Sequence, residues 1–141
     1  MNSLDYFRQG YNCAQSVLLA HAAEVGLDPA AAATLAAPFG AGLGGLRRTC
    51  GAFTALAMLL SAKRKAFDIA SPADKQAFYR QIQDLESRFA ARFGSSICAD
   101  LLRASGISPS DTPAPRTPQY YAQRTSCADC LRLADELFAT L

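Results

Sequence analysis

Residues 40–60 constrain this chain more than any other segment. They read Gly40-Ala-Gly-Leu-Gly-Gly-Leu-Arg-Arg-Thr-Cys50-Gly-Ala-Phe-Thr-Ala-Leu-Ala-Met-Leu-Leu60. Four glycines within six residues let the backbone take turns that a residue with a Cβ resists. The apolar run that follows reads as a helix. Thr49 is placed to cap it, with its oxygen accepting a free backbone N–H. Cys50 then falls in the first turn, where the helix dipole favours negative charge. Arg47 and Arg48 lie just upstream. A thiol beside cations and a helix N-terminus ionises more easily than a free cysteine, so Cys50 reads as chemical rather than structural.

Composition supports a helical fold around that segment. The chain has 141 residues, half of them hydrophobic, which suits one domain over residues 1–141 with a real core. Alanine is abundant, β-branched residues are few and tryptophan is absent. That predicts an all-α bundle of about five or six helices. A net charge of +2, with no dense basic run, argues against nucleic-acid binding. Met1 to Arg8 lacks a basic stretch leading into an apolar one. The longest apolar run, 50–62, is shorter than the ~20 residues that span a bilayer. A soluble, cytoplasmic protein without membrane insertion is expected. In a reducing cytosol its five cysteines read as catalytic or metal-binding before they read as disulfides.

Taken in order, the chain opens with a helix over residues 2–24. Leu4, Phe7, Tyr11, Ala14, Leu18 and His21 recur at steps of three and four, and Gly10-Tyr11-Asn12 interrupts them. Asn12 is placed to restart the helix as a cap, and Gly26 to end it. Asp28-Pro29 opens a second, alanine-rich helix that stops before Pro38. The helix of residues 50–64 comes after the glycine loop. Ser71-Pro72 starts another that runs to Phe93, with Phe78, Ile82, Leu85, Phe89 and Phe93 as its core stripe. Arg80, Asp84 and Arg88 are spaced for i,i+4 pairs on its solvated face. The core is expected on these last two helices. Ser95 or Ser96 begins the next helix. Residues 105–118, with four prolines, form an extended loop that wraps the surface. Thr125-Ser126 caps the last helix.

The cysteines share a placement. Cys13, Cys50, Cys98 and Cys127 each follow a predicted cap residue, in the first turns of separate helices. A buried structural cysteine has no reason to prefer that position. A thiolate does, because backbone N–H groups stabilise it. If the helix starts converge, they form one thiolate-rich pocket. Gly42, Gly44, Gly45 and Gly51 would bring backbone close to whatever the pocket holds. Two chemistries suit it. The thiols can cycle to a disulfide, one attacking and another resolving. Alternatively, Cys13, Cys50, Cys98 and Cys127 can hold zinc or an iron–sulfur cluster. The spacing argues against an ordinary zinc site, since only Cys127-Ala-Asp-Cys130 forms a Cys-x-x-Cys pair. A third reading is an interaction module whose cysteines are merely buried.

Gly10-Tyr-Asn-Cys13-Ala-Gln, the glycine loop, Cys50-Gly-Ala, Phe93-Gly-Ser-Ser-Ile-Cys98 and the late Cys127 together resemble the redox-active C-GCAxxG-C-C family. The family's members are of about this size and share four cysteines and a CGAxxG motif. The resemblance covers nearly the whole chain. It implies that Cys13, Cys50, Cys98 and Cys127 are the functional set, with Cys130 the extra. It implies redox activity, an unidentified redox partner and a link with transporter loci, without supplying a reaction. The last glycine of the motif is Ala55 here. A homodimer is compatible with the sequence.

The weaker signals read blandly. Gly40-x-Gly42-x-x-Gly45 matches a dinucleotide fingerprint on paper, but no strand precedes it. His21 is the only histidine and falls on an apolar stripe, as a core or boundary residue would. Asp100 and Asp129 sit near helix starts, where carboxylates suit the dipole. Tyr120-Tyr121 anchors the proline loop on the core.

Overall fold

The computed structural model describes residues 1–141. Eight α-helices build it: α1 (Ser3–Arg8), α2 (Cys13–His21), α3 (Pro29–Ala36), α4 (Gly51–Arg64), α5 (Pro72–Phe93), α6 (Cys98–Ala104), α7 (Pro118–Gln123) and α8 (Thr125–Phe138). An isolated antiparallel bridge between Thr49 and Ile97 is the one strand-like pairing. The fold is all-α, with more helices than the five or six expected. Gly10, at φ +107°, splits the first expected helix into α1 and α2. The proline segment ends in a helix of its own, α7, which Thr117 caps by accepting from the Tyr120 N–H.

Local cap chemistry accounts for most helix starts. The Asn12 side chain accepts from the Gln15 N–H, and the Gln15 side chain accepts from the Asn12 N–H. This reciprocal pair satisfies two orphan donors at the start of α2. Asp28 and Ser71 cap α3 and α5, each followed by proline. Gly94 closes α5 in the left-handed region at φ +81°.

The core centres on α4, which packs most extensively against α2 and then α8. Ala52, Ala55, Leu56 and Leu59 of α4 are fully buried. This corrects the expected placement of the core on α4 and α5. On α5 only Leu85 and Phe89 are buried, while Phe78, Ile82 and Phe93 pack partly buried against the core. At 22 residues, α5 is about 33 Å long, and its N-terminal half stays largely in solvent. Arg80, Asp84 and Arg88 form no ion pairs with one another. Arg88 instead donates to Thr140 Oγ1, consistent with the small gain such exposed pairs offer.

Two side chains hold the N- and C-terminal segments together. Asp135 on α8 lies 2.6 Å from His21 Nε2 and accepts from the Ser3 N–H at 3.1 Å. Burial alone would raise the Asp135 carboxyl. The hydrogen bonds from His21 and Ser3 prevail and bring it below the usual carboxylate value. The His21 ring stacks on Phe138 at 4.0 Å between centroids, the boundary role expected of a lone histidine. Residues 107–117 run over the surface without regular structure. Arg116 pins them, donating to the carbonyls of Phe7 and Tyr11 and covering the Phe7 ring at 4.4 Å. The Tyr121 hydroxyl adds a bond to the Phe7 carbonyl. No helix is long and apolar enough to cross a membrane.

Candidate functional site

A cavity of about 400 Å³ opens where α2, α4, α6 and α8 begin. Cys13, Cys50, Cys98, Cys127 and Cys130 all line it, and all are free thiols. The expected convergence of helix starts is therefore present, although three of the four caps differ from expectation. Cys13 does follow the Asn12 cap as the first residue of α2. Cys50 is itself the cap residue of α4, because Thr49 is drawn into the bridge with Ile97. Ile97, not a serine, precedes Cys98. Arg124 precedes α8, leaving Cys127 in its first turn.

Long-range backbone bonds bring Cys50 and Cys98 together. The Cys50 N–H donates to the Ser96 carbonyl at 2.8 Å, and the Cys98 N–H donates to the Arg48 carbonyl at 2.7 Å. The Ala99 N–H follows onto the Arg47 carbonyl. Residues 47–50 and 96–99 thus form a clasp beside the thiols. The first N–H groups of α6, which have no partner within their own helix, are satisfied there.

Glycines make the close approaches possible. A Cβ on Gly51 would lie 2.8 Å from the Phe39 carbonyl oxygen and 3.0 Å from the Ala14 nitrogen. Only glycine lets α4 start this close to α2. Gly42 sits at φ +65°, and a Cβ there would meet the Arg48 nitrogen at 2.5 Å. Gly44 and Gly45 also line the cavity, with the Asp111 carbonyl packed over Gly45. No strand precedes the loop, so the dinucleotide fingerprint has no structural basis.

Two thiol pairs influence each other most strongly, Cys13 with Cys127 and Cys50 with Cys130, and Cys98 is single. Cys127 is lowered to about 7, first by the hydrogen bond with Cys13, against its burial, and then by Arg124, Arg47 and Arg116. Cys13 is raised well above the usual thiol value by that same bond, by burial and by its neighbours' charge. Cys50 is lowered, first by its bond with Cys130, against burial, and further by the Ala52 and Phe53 N–H groups at the start of α4. Cys130 is raised by that bond, by burial and by the charge of Cys50. Cys98 stands apart, 3.6 Å from an Arg47 nitrogen. Burial raises it more than Arg47 lowers it.

Sequence reasoning therefore placed Cys13, Cys50, Cys98 and Cys127 on one cavity but set aside Cys130, the partner of Cys50. The signal was present in the Cys127-x-x-Cys130 spacing, since residues three apart share a helix face. Arg116 and Arg124, which reach the cavity from the proline segment and the α8 cap, carried no local signal. Arg47 acts on Cys98 and Cys127, while Arg48 is exposed. Tyr120 lines the cavity while the Tyr121 hydroxyl ties the end of the proline segment to the Phe7 carbonyl.

No group of three or more Cys, His, Asp or Glu side chains gathers closely enough to hold a metal ion.

An all-α fold with a thiol-lined cavity at converging helix starts defines a cysteine-based class of protein. A family model described as "Putative redox-active protein (C_GCAxxG_C_C)" matches residues 11–141. The chain belongs to this redox-active family. No curated protein and no solved structure matches it.

Proposed function

We propose that the chain carries out dithiol–disulfide redox chemistry within its cavity, with Cys13 and Cys127 as the reacting pair. The observation that carries this reading is that Cys13 and Cys127, both partly exposed, line one cavity, with Cys127 lowered to about 7 by its interaction with Cys13. A thiol near that value is substantially thiolate at neutral pH, and the thiolate is the nucleophile. Both thiols line one cavity, and a disulfide forms when the two sulfurs close to ~2.05 Å. Cys127 attacks and Cys13 resolves. Cys50 and Cys130 form a second, buried pair behind them, and Cys98 rests against Arg47.

The test is thiol counting on protein purified without oxygen, before and after exposure to a disulfide oxidant, with peptide mapping and metal analysis. The expected result is loss of two thiols and a mapped Cys13–Cys127 link. Five thiols persisting after excess oxidant would overturn the reading. So would near-stoichiometric iron with thiolate-to-iron absorption, which belongs to the alternative of a cluster-binding module assisting a transporter or redox partner.

A further inference from the structure

We infer that the oxidising substrate is a small disulfide that carries carboxylate groups. This rests on the dithiol reading above and adds the chemistry of the molecule that enters. The cavity's volume, about 400 Å³, is in the range of small-molecule sites. Arg47, Arg116 and Arg124 all line it, and Asp111 is the one acidic residue in that lining. None of the three arginines makes an ion pair.

The three are not equivalent. Arg116 is committed to the Phe7 and Tyr11 carbonyls, and Arg47 to the Ser110 carbonyl. Both supply fixed positive charge. Arg124 stacks on Tyr120 at 4.8 Å and its charge acts on Cys127, but its guanidinium makes no hydrogen bond or ion pair, so its fork of donors is open. A guanidinium fork matches the two oxygens of a carboxylate. Ser126, beside the attacking Cys127, lines the same cavity, and its hydroxyl is buried with no hydrogen-bond partner. Buried polar groups in native proteins rarely lack one, and an oxygen of a ligand in the cavity would supply it.

The chemistry balances. The Cys127 thiolate attacks one sulfur of the entering disulfide, forming a mixed disulfide and releasing one small thiolate. The Cys13 thiol, giving its proton to solvent, attacks Cys127 Sγ and releases the second. Starting from the Cys127 thiolate, the protein loses two electrons and the one Cys13 proton; the entering disulfide gains the two electrons as two thiolates, which take protons from solvent.

The experiment compares three oxidants: glutathione disulfide (anionic), hydroxyethyl disulfide (neutral) and cystamine (cationic). Each rate of Cys13–Cys127 formation is divided by the rate of the same oxidant with dithiothreitol, which removes intrinsic reactivity. The expected order is anionic, neutral, cationic. The anionic advantage should be about tenfold at low salt and shrink as salt rises. Arg124→Gln should reduce the anionic-to-neutral ratio, and Arg124→Lys should restore part of it, with circular dichroism showing each variant folded. A ratio near one, a cationic preference, or a ratio unmoved by Arg124→Gln would overturn the inference while leaving the dithiol reading intact. If none of the three oxidants forms the disulfide, the dithiol reading falls, and this inference with it.

Discussion

The two thiol pairs are built alike and energised differently. In each, one sulfur is held toward the thiolate at its partner's expense. At the mouth, Cys127 draws on Cys13 and three arginine side chains. At the floor, Cys50 draws on Cys130 and the N–H groups that begin α4. Cys50 and Cys130 are 6% and 1% exposed, whereas Cys13 and Cys127 are partly open. Side-chain charge near solvent is screened by salt, and backbone dipoles in a core much less so. The difference suits the mouth pair to diffusing reagents and keeps the floor pair from them.

The sharpest way to break the contrast is at Gly51. Gly51→Ala drives a Cβ into backbone on two sides and should destabilise the fold by about 3 kcal/mol, read by chemical denaturation. Because it disturbs the start of α4, Cys50 should become alkylatable in the native state. If Cys127 changes as much as Cys50, the pairs are not separate units.

Next comes the helix both pairs share. Asp135→Asn removes the charge that ties α8 to His21 and Ser3 and should cost about 2 kcal/mol in thermal or denaturant unfolding. The carboxyl is held below its ordinary value. The stability it adds is therefore present above the usual carboxylate range and fades as pH falls through the lower folded value. In the variant that acid-sensitive component should vanish, while the alkylation midpoint of Cys127 stays near 7.

A smaller effect isolates the mouth. Iodoacetamide should label Cys127 first, with a midpoint near pH 7. Cys127→Ser should slow native-state labelling at pH 7 about tenfold. The sign follows from a lowered thiol: reactivity persists as pH falls from 9 to 8 and drops only through 7. Labelling that tracks an ordinary thiol near ~8.5 would remove the basis for the mouth pair.

The smallest effect touches neither pair. Ala55 occupies the place of the motif's last glycine and is fully buried inside α4. Ala55→Gly should cost about 1 kcal/mol in unfolding and leave both labelling profiles unchanged.

What the sequence disclosed was local. Asn12, Asp28 and Ser71 announce helix starts because their partners lie three residues away. The stripe of α5 is legible, but its burial is not, since that depends on which neighbours cover it. Thr49, Ser95 or Ser96, and Ser126 were read as caps and are not. At Thr49 a bond spanning 46 residues, from Cys50 to Ser96, outcompetes the local option. The arginines around Cys127 arrive from three separate segments, so no spacing could assemble them. Convergence of the cysteines was readable, because a recurring position relative to helix starts survives errors in individual caps.

The clasp of residues 47–50 on 96–99 also sorts the chain by tolerance to length. It fixes both thiol-bearing helix starts at its base, so the excursion between them is closed already. Its turn, residues 65–71, is exposed, with Ile69 94% accessible. Lengthening a closed loop is inexpensive, about 0.6 kcal/mol for each doubling. Extra chain inserted at Ile69 should therefore leave the cysteine cavity undisturbed. That makes this turn the natural port for grafting a reporter or a tether onto the protein.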